Sequence, residues 1–64
     1  MNATINTLPD CPWCEKAKKL LTLKGIHYAI IEGKSVDWPT VPYVVIDDQP
    51  VGGYTELATW CRNN

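Results

Sequence analysis

The sequence predicts a small α/β domain whose elements run β-α-β-β-β-α. Three observations carry that prediction. Two stretches rich in β-branched residues, 3–8 and 41–46, have the composition and length of strands. Between them Trp13, Ala17, Leu20 and Leu21 recur at i, i+4, i+7 and i+8, the stripe of an amphipathic helix. Further on, Asp47-Asp48-Gln49-Pro50 places turn chemistry between two strand-like runs.

The first strand, Ala3 to Leu8, puts Ala3, Ile5 and Thr7 on one face and Thr4, Asn6 and Leu8 on the other. Pro9-Asp10 ends it. Cys11 then fits an N-cap, and Pro12 the first helical position, where its missing N–H costs nothing. Lys16, Lys18, Lys19 and Lys24 form the solvated face of a helix over about 12–24, and Gly25 stops it. His27 to Glu32 is the second strand. Residues 33–40 are polar, contain Gly and Pro, and have no periodicity long enough for a helix. Val41 to Ile46 is the third strand, and Pro50-Val51 begins a short fourth, where proline argues for a sheet edge. Gly52-Gly53 closes it. Tyr54, Leu57, Ala58 and Cys61 then mark a last helix, with Thr55 as its candidate N-cap. The strand–helix–strand start implies a parallel pair with a right-handed crossover, and the tight turn at 47–50 an antiparallel hairpin.

The chain has 64 residues, a net charge of −1 and three cysteines. That length suits one domain, 1–64, which buries only roughly 60% of its unfolded surface. The mixed, near-neutral charge gives no footprint for nucleic acid or an anionic membrane. No cationic start leads into an apolar core, and no apolar run approaches a membrane span, so a reducing cytoplasm is the expected compartment. In that compartment a close cysteine pair points to catalysis or metal rather than to a structural disulfide.

Cys11-Pro12-Trp13-Cys14 is the stretch that carries chemistry. Thiolate is the nucleophile, and a cysteine at a helix N-terminus has its pKa lowered by free N–H groups and the helix dipole. Trp13 and Cys14 supply those N–H groups, while Lys16 and Lys18 add a screened positive field. Cys14 lies nearly one turn on, faces the same side and sits deeper. Cys11 is therefore the expected attacking thiol and Cys14 the resolving one. A zinc site needs four ligands. The remaining candidates are Cys61, on the apolar stripe of the last helix, and His27, at a strand start, so no metal is expected. Cys61 reads as a small buried hydrophobe.

Cys11-Pro12-Trp13-Cys14 after a strand, then Thr40-Val41-Pro42, then Gly52-Gly53-Tyr54-Thr55-Glu56 together resemble the dithiol glutaredoxins of the thioredoxin superfamily. Three motifs in order, covering nearly the whole chain, are far more specific than a C-x-x-C alone. The resemblance implies a thioredoxin-like fold with sheet order 2-1-3-4 and a cis Val41–Pro42 bond facing the dithiol. It implies a redox-active Cys11–Cys14 disulfide and a glutathione site built from Trp13, Thr40, Val41, Pro42, Gly53, Tyr54, Thr55 and Glu56. There the backbone of Val41 would pair with the cysteinyl part of glutathione. The helix start at Tyr54 and Thr55 would take the γ-glutamyl carboxylate, and Glu56 its ammonium group. The implied function is a monomeric, glutathione-dependent thiol–disulfide oxidoreductase acting on protein disulfides and glutathione mixed disulfides.

Two departures bear on that expectation. The family usually carries a base shortly before the first cysteine and another before Thr-Val-Pro; here Thr7-Leu8-Pro9-Asp10 and Asp37-Trp38-Pro39 stand there. Contacts to the glycine carboxylate of glutathione are missing unless Lys16 or Lys34 compensates. This favours an alternative, a redoxin reduced by thioredoxin reductase that serves ribonucleotide reductase. A third reading, a glutathione-ligated iron–sulfur carrier using Cys11, is disfavoured by Pro12.

The family also inserts a helix between its second and third strands, for which residues 33–40 are too few. The gap to be crossed is two strand spacings, about 10 Å, well within reach of eight residues at about 3.3 Å each. Losing that helix uncovers the Thr4/Asn6 face. Both helices are expected on the Ile5 face, with the other face largely open to solvent or used for dimerisation, and with Trp38 or Tyr28 folded over part of it.

Overall fold

The computed structural model describes residues 1–63. Its elements follow the predicted order: β1 (Asn2–Thr7), α1 (Pro12–Leu23), β2 (His27–Glu32), β3 (Tyr43–Ile46), β4 (Gln49–Gly52) and α2 (Tyr54–Asn63). The strands form one mixed sheet in the order β2-β1-β3-β4, with β1 and β2 parallel and the other pairs antiparallel. No helix lies between β2 and β3.

Local chemistry sets the ends of α1. Cys11 is the N-cap and Pro12 the first helical residue. At the other end the Gly25 N–H donates to the Thr22 carbonyl and the Ile26 N–H to the Leu21 carbonyl, both at 3.0 Å. This is a Schellman motif, and it needs the left-handed φ of +70° that Gly25 supplies. Ile26 beyond the turn packs into the core with Leu21, so the stop signal also anchors the crossover into β2.

The hairpin joining β3 to β4 is equally local. Ile46 pairs with Gln49 across a two-residue loop in which Asp47 and Asp48 both have positive φ, 49° and 65°. That is the geometry hairpins favour, because its twist matches the strands. The Asn2 N–H donates to the Asp47 carboxylate at 2.9 Å, tying the start of β1 to the loop. With Asn2 also paired to His27 and Thr7 to Glu32 in the parallel ladder, β1 spans 2–7 rather than the expected 3–8. β3 begins at Tyr43 rather than Val41, since Pro42 has no N–H to give the ladder.

Ala3, Ile5, Val44 and Ile46 from the sheet meet Ala17 and Leu21 of α1 and Leu57 of α2, with Ile26 completing the core. Both helices thus pack on the Ile5 face, as the sequence predicts. The opposite face is uncovered at the β2 side, where Ile31 is 45% exposed, yet it is closed at the end nearest the dithiol. There Asn6 is buried and donates from Nδ2 to the Gly33 carbonyl at 3.1 Å, and Trp38 stacks on buried Tyr43. Tyr28 does not cover that face. It pairs in register with Ala3, which puts it on the helix side against the core.

Candidate active site

The first turn of α1 presents the two cysteines unequally. They are joined as a disulfide with Cα atoms 5.2 Å apart, and the Cys14 N–H donates to Cys11 Sγ at 3.2 Å. Cys11 sits outside the helix with extended backbone and is half-buried. Cys14 is inside the third helical position and only 1% exposed. One sulfur is therefore accessible and held by a helix-start N–H, while the other is enclosed. Of the expected cations, Lys18 forms an ion pair with Glu15 at 2.6 Å, and Lys16 lies 4.4 Å over the Trp13 ring.

Beside this turn runs an open groove of about 340 Å³. It is lined by Trp13, Thr40, Val41, Pro42, Gly53, Tyr54, Thr55 and Glu56, all eight residues that the motifs nominate. A ninth, Trp38, was not among them. The Val41–Pro42 bond is cis. Trp13 reaches across to Tyr54 with ring centroids 5.3 Å apart, linking the dithiol helix to the start of α2.

That start is capped differently from the expectation. The Leu57 N–H donates to the Gly53 carbonyl at 2.9 Å, and the Gly53 N–H donates to Glu56 Oε1, also at 2.9 Å. Gly53, not Thr55, is the N-cap, with Glu56 closing half of a capping box from the third helical position. Glycine has no side-chain oxygen to take the N–H groups of the first turn, so the positive pole of α2 is left uncapped where Tyr54 and Thr55 line the groove.

Gly52 holds this corner in place. Its φ is +118°, and a Cβ there would lie 2.9 Å from Glu56 Cγ and 3.2 Å from Trp38 Cη2. Gly52→Ala is expected to lower stability by about 1–3 kcal/mol from backbone strain alone and to displace Glu56. A urea midpoint unchanged from wild type would disprove this.

The third cysteine stands apart. Cys61 is partly buried on α2, packed against the core, and burial raises its thiol pKa while the Lys24 charge pulls it partly back. A thiol of ordinary pKa is only a few per cent thiolate at pH 7, and Cys61 falls below that. In the reduced protein, iodoacetamide at pH 7 is expected to label Cys11 first and Cys61 much more slowly, the Cys61 rate climbing as pH rises past 9. Equal labelling by peptide mass mapping would contradict it. His27, the other residue weighed as a metal ligand, is exposed at the start of β2. Among the described residues no helix is long and apolar enough to cross a membrane.

Comparison with known proteins agrees with this geometry. The Glutaredoxin family profile matches residues 3–33. Glutaredoxin 1 of Rickettsia prowazekii is 39% identical over 66 residues, covering 83% of this chain and 70% of that protein. Glutaredoxin 1 of Escherichia coli is 31% identical over an 84-position alignment that covers all of this chain and 96% of its own. In fold, the crystal structure of glutaredoxin 1 from Francisella tularensis superposes with a TM-score of 0.84 at 24% identity, covering 97% of this chain and 93% of that one. Identity of this order along almost the full length of a relative establishes kinship, and the chain belongs to the glutaredoxin family, the glutathione-dependent thiol–disulfide oxidoreductases.

Proposed function

We propose that Cys11 is the nucleophile and Cys14 the resolving thiol of a two-electron disulfide reductase. The observation that carries this is the inequality of the pair: Sγ of Cys11 is half-exposed and accepts an N–H bond, whereas Cys14 is enclosed. The Cys11 thiolate attacks a substrate disulfide, and one substrate sulfur leaves as a thiolate that takes a proton. Cys14, losing its proton, then attacks Cys11 Sγ, releasing the second substrate thiol and leaving the Cys11–Cys14 disulfide. Two glutathione molecules return the pair to the dithiol and become one glutathione disulfide.

The groove is the glutathione site in this reading. Val41 offers its backbone to the cysteinyl part, Trp13, Thr40 and Pro42 flank it, and the uncapped N–H groups of Tyr54 and Thr55 receive the γ-glutamyl carboxylate. Glu56 keeps one oxygen on the Gly53 N–H and offers the other to the γ-glutamyl ammonium group. The protein acts as a single-domain monomer in the cytoplasm, on protein disulfides and glutathione mixed disulfides. No metal, nucleic acid or membrane takes part.

The electron source is the testable point, because no lysine or arginine lines the groove among the described residues. That observation favours the second reading, a redoxin served by thioredoxin reductase that passes electrons to ribonucleotide reductase. Turnover of a protein disulfide is measured with glutathione and glutathione reductase, and separately with NADPH and thioredoxin reductase. Faster turnover in the first assay is expected; turnover in the second alone would replace glutathione as the reductant. Colour on anaerobic purification would instead indicate the iron–sulfur reading.

A further inference from the structure

The loop that stands in place of a helix leaves one of its side chains in the groove. Trp38 lies nearly parallel to Tyr43, with ring centroids 5.6 Å apart and planes 14° apart. Its other edge faces the glycine corner, with Cη2 3.2 Å from where a Gly52 Cβ would be and Nε1 3.7 Å from that of Gly53. Held between the sheet and that corner, the indole lines the same groove as Trp13. Trp13 itself is 53% exposed and in contact with both the Tyr54 ring and the Lys16 ammonium.

Two indoles, Tyr54, Val41 and Pro42 make the apolar part of a lining that Thr40, Gly53, Thr55 and Glu56 complete with polar groups. Among the described lining residues Glu56 alone is charged, and Lys16, outside the lining, lies over the Trp13 ring. A side-chain carboxylate finds no cationic side chain, and away from the helix-start N–H groups at the Tyr54–Thr55 end it meets the field of Glu56. An aromatic or aliphatic side chain finds ring faces and buries apolar surface.

We infer that Trp38 determines substrate specificity, and that the groove favours cysteine disulfides flanked by aromatic or apolar residues over those flanked by acidic ones. This deepens the dithiol-reductase reading and rests on it. The test uses blocked pentapeptides Gly-X-Cys-X-Gly, with X as Trp, Leu, Lys or Asp, each a mixed disulfide with 2-mercaptoethanol. The reduced protein transfers two electrons, giving the Cys11–Cys14 disulfide, free peptide thiol and 2-mercaptoethanol, so no other reductant enters. Second-order rates are read by quenched mass spectrometry.

The Trp and Leu peptides are expected to react about tenfold faster than the Asp peptide, with Lys between. Trp38→Ala should cut the advantage of the Trp and Leu peptides over the Asp peptide severalfold, leaving the share that Trp13, Tyr54 and Glu56 supply, and Trp38→Phe should restore most of the preference. Equal rates across the four peptides in wild type would overturn the inference. So would an equal loss on all four in Trp38→Ala, which would reduce Trp38 to a support for the glycine corner, or a Trp38→Phe variant that folds normally by circular dichroism without regaining preference. Bis(2-hydroxyethyl) disulfide has no flanking residues to read. If the protein fails to reduce even that, the dithiol reading falls, whereas normal reduction of it with no peptide preference sinks the specificity inference alone.

Discussion

Cys11→Ser is expected to abolish reduction of both protein disulfides and glutathione mixed disulfides, a fall of at least roughly 1000-fold, because no second sulfur can take over. Cys14 lies in the same turn, but it is 1% exposed and its position inside the helix leaves it behind Cys11 as seen from solvent. Cys61 is on another helix, and its raised pKa keeps it protonated near neutral pH. Cys14→Ser should behave differently. Removal of glutathione from a mixed disulfide needs one attacking thiol, with a second glutathione resolving the intermediate, so that activity survives. Reduction of a protein disulfide through the intramolecular step is lost. Incubated with glutathione disulfide, Cys14→Ser should accumulate one glutathione adduct on Cys11, visible by intact mass, and Cys11→Ser should not. Retained activity of Cys11→Ser in either assay would reverse the assignment of the two thiols.

Most of the structure decided within a few residues is legible in the sequence. Proline after Cys11, the glycine after the lysine-rich helix and the Asp-Asp turn all act on their own neighbours, and each is where the pattern puts it. The groove was legible for a different reason. Its eight expected residues lie in motifs whose spacing resembles a family, and no local propensity brings Thr40 beside Tyr54. What escaped is what depends on register and distant packing. Tyr28 faces the helices because it sits beside Ala3 in a parallel ladder, and a register shifted by one residue would have turned it to the other face. Trp38 does cover part of the Asn6 face, as expected, but that the same ring also lines the groove depends on the Gly52–Gly53 corner it packs against, which no local pattern announces. The cap of α2 differs because Gly53 and Thr55 are about equally favoured as N-caps, and only the threonine advertises itself with a side-chain oxygen. The spacing Gly53-x-x-Glu56 was the signal that could have found it, as half of a capping box.

The same coupling of core to groove gives the second large effect. Leu57→Ala is expected to cost about 2–5 kcal/mol through lost burial and the cavity left behind. Leu57 is fully buried and is the α2 residue at the centre of the core, meeting sheet and α1 residues at once. A domain of 64 residues has a margin of roughly 3–5 kcal/mol from a single core, so this one truncation removes most or all of it. The consequence reaches the site because Leu57 also donates its N–H to the Gly53 carbonyl, the first hydrogen bond of the helix whose start lines the groove. Loosening Leu57 frees the Tyr54–Glu56 turn and takes the brace from Trp13. Chemical denaturation should show a collapsed midpoint. In the fraction still folded at low temperature, glutathione-dependent turnover should fall further than direct reaction of the Cys11 thiol with a small neutral disulfide, because α1 keeps its own cap and its Schellman stop. A wild-type midpoint for Leu57→Ala, or equal loss in the two assays, would mean that α2 is not what connects this core to the groove.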